Sequence, residues 1–160
     1  MTEMTLTDSM LAEIRKELDK YPADRKQSAV MAALRIVQDE FRWLSREIMQ
    51  EIADLLEMPA IHVYEVATFY SMYEHRDVGQ HKLCVCTNIS CQLRGSKDVL
   101  DYLKEKTGIG PGETTPDGRI SIKEVECLGA CGGAPMMQVD KEYFENLTTE
   151  SIDKILEGLD

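Results

Sequence analysis

Four cysteines fall into two separated pairs, Cys86 with Cys91 and Cys127 with Cys131, and 35 residues lie between the pairs. The spacing is C-x4-C, a long gap, then C-x3-C. If the two pairs serve one site, the fold must carry two distant loops to the same place. The second pair lies in Cys127-Leu128-Gly129-Ala130-Cys131-Gly132-Gly133-Ala134-Pro135. No charged residue occurs from Cys127 to Val139, in a chain that is 29% charged. Four thiolates beside an uncharged, glycine-rich loop suit a cofactor that already carries negative charge. An iron–sulfur cluster is such a cofactor: its sulfurs take hydrogen bonds from backbone N–H groups, and nearby carboxylates oppose its reduction.

Three chemistries compete for these cysteines. A 2Fe–2S cluster accounts for four ligands, the neutral loop and the glycines. Structural zinc is the rival, because both spacings are compatible with zinc ligation. Disulfides are disfavoured because five cysteines leave one over and because a reducing compartment is expected. That expectation rests on an N-terminus, Met1-Thr2-Glu3-Met4-Thr5, with neither a secretory pattern nor the Arg-rich character of a transit peptide. No apolar run approaches the roughly 18 residues of a membrane span. Spacing and composition favour the cluster over zinc. A plant-type ferredoxin does not fit, because its third cysteine follows the second after two residues.

The net charge of −11 is spread through both halves, and no basic stripe is present to meet a phosphate backbone, so nucleic acid is not an expected partner. Gly108-Ile109-Gly110-Pro111-Gly112-Glu113 departs from G-x-G-x-x-G and is interrupted by proline, so it reads as a loop and not a nucleotide site. His62, His75 and His81 are scattered, none at ligand spacing from another histidine. No nucleophile–base signature is legible.

The periodicity changes midway and predicts an α+β chain in two parts, residues 1–78 and 79–160. The first reads as four helices. Asp8 or Ser9 is placed to cap one with Leu11, Ile14 and Leu18 inward. A second follows Asp24, with Val30, Leu34, Val37 and Phe41. Ser45 caps a third, with Ile48, Ile52, Leu55 and Leu56, and Pro59 opens a fourth that runs into Ala67-Thr68-Phe69-Tyr70-Ser71-Met72-Tyr73. This aromatic stretch is expected mainly as core, with a partner-facing patch as the alternative. Residues 74–80 read as a linker, with Gly79 as its break. Beyond it the order is strand 81–86, helix 94–107, strand 119–126, a hairpin across Asp140-Lys141, and a last helix capped by Thr148 or Thr149. Cys86 and Cys127 fall at strand ends, and Cys91 and Cys131 in the loops that follow. If the two strands are neighbours, both pairs reach one edge of the sheet. Cys84 shares a strand face with Cys86 but lies deeper, and is expected as a small buried hydrophobe.

Cys86-x4-Cys91, Cys127-Leu128-Gly129-Ala130-Cys131 and Ala134-Pro135 resemble the thioredoxin-like 2Fe–2S ferredoxins. Glu65-Val66-Ala67-Thr68-Phe69-Tyr70-Ser71-Met72-Tyr73 resembles the segment ahead of the cluster domain in the 2Fe–2S subunits of NADH:quinone oxidoreductase, respiratory complex I. The resemblance implies an N-terminal helical docking bundle followed by a thioredoxin-like ferredoxin domain of βαβ-ββα order. It implies one 2Fe–2S cluster, held by Cys86 and Cys91 on one iron and by Cys127 and Cys131 on the other. It also implies a neighbouring flavin protein that binds NADH and FMN and exchanges one electron with the cluster, within the cytoplasmic peripheral arm of a membrane-bound complex and beside its other peripheral-arm subunits. A diaphorase subunit of an NAD-linked hydrogenase or formate dehydrogenase, or a free ferredoxin, are the alternatives. The chain shows no substrate site of its own.

Overall fold

A computed structural model describes residues 4–159. The chain divides into two compact units, the first running to Asp77 and the second beginning at Val78.

The first unit is helical: α1 (Asp8–Leu18), a 3-10 segment (Ala23–Ala29), α2 (Val30–Phe41), α3 (Arg46–Leu55) and α4 (Ala60–Phe69). The cap of α1 is Thr7, not Asp8 or Ser9; its side chain accepts from the Met10 N–H. The buried face of α1 is accordingly Met10 and Ile14, with Leu11 only half-buried. The residues after Asp24 continue the 3-10 stretch, and the helix proper starts only at Val30. Ser45 caps α3 as expected, accepting from the Ile48 N–H. Ile14, Leu34, Leu44, Ile48, Ile52 and Leu56 are all fully buried in one core.

The aromatic stretch divides. Ala67 and Tyr73 are buried, and the Tyr73 hydroxyl donates to the Met31 carbonyl at 2.9 Å. Burial lifts the Tyr73 phenol above its usual range. Phe69 is 80% exposed and Met72 50%, so the expectation of core packing fails for the middle of the stretch. The helical period ends at Phe69, and the residues after it no longer share the inward face of α4.

The second unit contains β1 (His81–Cys86), α5 (Ile89–Leu93), α6 (Ser96–Thr107), β2 (Ile120–Val125), a 3-10 turn (Cys131–Gly133), β3 (Met137–Val139), β4 (Glu142–Phe144) and α7 (Thr149–Glu157). The sheet order is β2-β1-β3-β4, with β1 and β2 parallel and the remaining pairs antiparallel. With the helices this is the α+β, βαβ-ββα arrangement. Alternation sends Leu83, Val85, Ile122, Met137 and Val139 to one face, where they share a core with Val99 and Leu103 of α6 and Ile152 of α7. Gly108 ends α6 in the left-handed conformation that glycine adopts without steric cost. A full capping box starts α7 at Thr148.

Gly79 is not a flexible break. It is buried, its N–H donates to Ser121 Oγ at 2.6 Å, and a Cβ there would lie 2.8 Å from the Ile120 carbonyl carbon. Glycine is required because two backbones meet. The loop 109–118 folds back on β2. The Gly112 N–H donates to the Ile122 carbonyl on β2 and the Gly110 N–H to the Glu113 carboxylate, so both amides are already engaged.

Candidate iron–sulfur site

The parallel pairing of β1 with β2 places Cys86 opposite Val125, at the carboxyl ends of adjacent strands. The chain leaves both strands at the same edge of the sheet. The two cysteine pairs therefore emerge side by side although 35 residues separate them.

Cys86 ends β1, its N–H donating to the Met136 carbonyl at 3.2 Å. Cys91 does not lie in a loop as expected. It sits on α5, a single short helix whose Asn88 side chain accepts from the Ile89 N–H. Asn88 as a cap is the available signal, but five residues are too few for a hydrophobic period to register. The helix turns Cys91 inward, to 1% exposure beside Cys86 at 3%, and leaves Leu93 82% exposed. Cys86, Cys91, Ala134 and Met136 form a small cluster of their own, flanked by Leu128 and Ala130.

Cys127 and Cys131 are exposed. Cys127 follows the end of β2 after Glu126, and Cys131 opens the 3-10 turn. Between them Gly129 takes φ +77°, a region costly for most side chains, and its N–H approaches Cys127 Sγ at 3.4 Å. This is the backbone-to-sulfur contact expected of a loop around charged sulfur. Tyr143 on β4 donates its hydroxyl to the Leu128 carbonyl at 2.9 Å. None of the five cysteines forms a disulfide. Cys84 is 7% exposed, consistent with its expected packing role.

The donor set fits a 2Fe–2S cluster. Four thiols at one sheet edge offer the soft ligands that iron–sulfur centres take, two from a buried pair and two from a solvent-facing pair. Burial, and then the Cys86 thiol beside it, push the Cys91 thiol above its ordinary pKa, so this sulfur favours the proton until a cation replaces it. Among the described residues no three His, Cys, Asp or Glu side chains meet at the spacing of a single bound ion. His81 lies at the far end of β1, its Nδ1 2.8 Å from Asp140 Oδ2, and His75 packs near the Tyr64 ring at 6.3 Å. No helix is long and apolar enough to cross a membrane among the described residues.

The profile of the thioredoxin-like [2Fe-2S] ferredoxin family matches residues 14–160. NADH-quinone oxidoreductase subunit 2 of Thermus thermophilus is 45% identical over 141 residues, covering 88% of this chain and 78% of the relative. The E subunit of the NADH-quinone oxidoreductase of Rickettsia bellii is 42% identical over 143 residues, covering 89% of this chain and 86% of the relative. Among solved structures, an NAD+-reducing [NiFe]-hydrogenase in the air-oxidized state superposes with a TM-score of 0.73 at 18% identity; the match covers 87% of this chain and 24% of the hydrogenase chain. At that identity the likeness concerns the fold alone.

Proposed function

Because this chain belongs to the thioredoxin-like [2Fe-2S] ferredoxin family, we propose that it is the electron-transfer subunit of an NADH:quinone oxidoreductase, with Cys86, Cys91, Cys127 and Cys131 as the cluster ligands. What supports this reading is that the relatedness is not confined to the cysteine-bearing unit. It extends over 88% of the chain and takes in the helical unit, which a free ferredoxin does not need.

When bound, the cluster supplies one-electron transfer. Cys86 and Cys91 would hold one iron and Cys127 and Cys131 the other, as the family resemblance implies. The buried pair keeps water from one side, and the exposed pair faces outward, toward a partner. The Gly129 N–H offsets negative charge on Cys127 Sγ, and the uncharged stretch from Cys127 to Val139 adds no carboxylate beside it. In this reading NADH and FMN are bound by a flavin-bearing partner subunit. The first unit docks on that partner, together with other peripheral-arm subunits, through a surface that includes Ile61, Phe69 and Met72, each at least half exposed. The complex is membrane-bound and this chain lies on its cytoplasmic arm.

Affinity purification of the tagged chain from its own cells tests the assignment. A flavin-bearing NADH-binding protein and quinone-reducing partners are expected in the bound fraction. The isolated chain should not oxidise NADH. Recovery of hydrogenase or formate dehydrogenase subunits instead would move the chain to the alternative complex.

A further inference from the structure

The cysteine loop and the segment after β3 are joined along their lengths. The Asn146 N–H donates to the Gly133 carbonyl at 2.6 Å, and the Leu147 N–H to the Pro135 carbonyl at 3.0 Å. Both are backbone-to-backbone bonds, and no side chain takes part in them. The front half of the loop is tied differently, by a side chain: Tyr143 Oη donates to the Leu128 carbonyl at 2.9 Å. Strand alternation explains why Tyr143 can reach it. Phe144 turns to the helix-covered face and packs on the core, so Tyr143 stands on the opposite face, in register with Gln138 and, through it, Cys84. A residue 50% exposed needs no aromatic ring for burial, and here the ring carries a hydroxyl to the carbonyl next to Cys127.

The geometry points to Tyr143 as a positioning residue for the Cys127–Cys131 loop. Its hydroxyl fixes the Leu128 peptide, and with it the orientation of the adjacent Gly129 N–H that approaches Cys127 Sγ. The Leu128 carbonyl and the Gly129 N–H share a peptide plane, so the bond to the one and the direction of the other are set together. The role is steric and orienting; Tyr143 moves no electron and no proton. This inference rests on the reading of Cys127 and Cys131 as cluster ligands.

Tyr143→Phe removes the hydroxyl and keeps the ring. The test is iron release from the anaerobically purified protein to an excess ferrous chelator, with the EPR spectrum of the reduced cluster recorded alongside. Losing one hydrogen bond of this kind raises the open population of the loop about 2- to 10-fold. Iron release should accelerate by that factor and the EPR resonances should broaden. Tyr102→Phe is the control. Tyr102 donates to the Asp153 carboxylate at 2.9 Å on the helix-covered side of the unit, so its loss removes a tyrosine hydrogen bond at least as strong and should leave both readouts unchanged. If Tyr143→Phe releases iron at the wild-type rate with unchanged resonances, the inference is wrong and the bond is merely structural. Equal effects from both variants would also overturn it. If the wild-type protein binds no cluster, the failure lies with the ligand reading.

Discussion

Gly133 closes the 3-10 turn that Cys131 opens, and adding one methyl group there tests how tightly that turn is packed. Gly133 is buried and its φ suits any residue, so glycine is not needed for backbone conformation. It is needed for space. A Cβ at this position would overlap the Glu145 carboxylate, and would lie 2.5 Å from Glu145 Cδ and 2.6 Å from Glu145 Cβ. The carboxylate is exposed and can rotate away. The Glu145 Cβ cannot, because it is fixed to the backbone. Ordinary contact begins at 3.4 Å, so the two backbones must part by about 0.8 Å. That displacement strains the Asn146 N–H bond to the Gly133 carbonyl, at 2.6 Å. Overpacking of this kind costs about 1–3 kcal/mol, and loss of the strained bond adds about 1 kcal/mol. Gly133→Ala should therefore lower the unfolding free energy by roughly 2–4 kcal/mol, measured by urea titration of the anaerobic protein with far-UV circular dichroism. Gly132→Ala is the matched control: its Cβ meets nothing within 4 Å, and its cost should stay within about 0.5 kcal/mol. A double-mutant cycle locates the clash. Glu145→Ala retains the Cβ and should give little relief, whereas Glu145→Gly should relieve most of it. Equal stability of Gly133→Ala and Gly132→Ala would refute the packing argument. Full relief by Glu145→Ala would show that only the carboxylate was in the way.

Cys91→Ala should yield protein without an intact cluster, whereas Cys84→Ala should keep it at a packing cost of roughly 1 kcal/mol; visible absorption after anaerobic purification distinguishes them, and cluster loss from Cys84→Ala alone would contradict the ligand assignment. Gly129→Asp should lower the midpoint potential relative to Gly129→Asn in an EPR-monitored titration, because reduction adds negative charge beside a new carboxylate. Asparagine and aspartate both tolerate positive φ better than other side chains, and the Gly129 Cβ position is open, so the pair differs chiefly in charge. Asp153 is held below its usual carboxylate range by the Lys106 ammonium at 2.8 Å and the Tyr102 hydroxyl. A lowered native pKa means that its contribution to stability is full above about pH 4, the unfolded value, and is lost as pH falls through the native value. The stability difference between wild type and Asp153→Asn, followed by urea midpoints, should thus be constant near neutrality and shrink only in acid; a difference that grows below pH 4 would contradict the pairing.

Elements with a strong period are legible in the sequence. Leu83 and Val85 against Ile120 and Ile122 announce two buried strands, and Gly108 announces the end of α6. The convergence of the cysteine pairs follows from strand ends once β1 and β2 are neighbours, which the parallel register supplies. Other features are not legible, each for a physical reason. Helix α5 is too short for a pattern, so Cys91 reads as a loop residue. Gly79 and Gly133 owe their identity to contacts with Ile120 and Glu145, more than ten residues away in each case, and such contacts leave no local mark. Phe69 and Met72 are apolar yet exposed, and hydrophobicity alone reads such residues as core. Tyr143 carries no signal of its own, because a tyrosine in a three-residue strand looks like ordinary sheet composition.

The four cysteines at one sheet edge are proposed to hold a single two-iron cluster. Iron, acid-labile sulfide and zinc should be determined together on one anaerobically purified sample, with an EPR spectrum taken after dithionite reduction. Two irons and two sulfides per chain are expected, with no stoichiometric zinc and a spin-one-half signal that appears only on reduction. A colourless protein with one zinc per chain, and no signal after reduction, would contradict it.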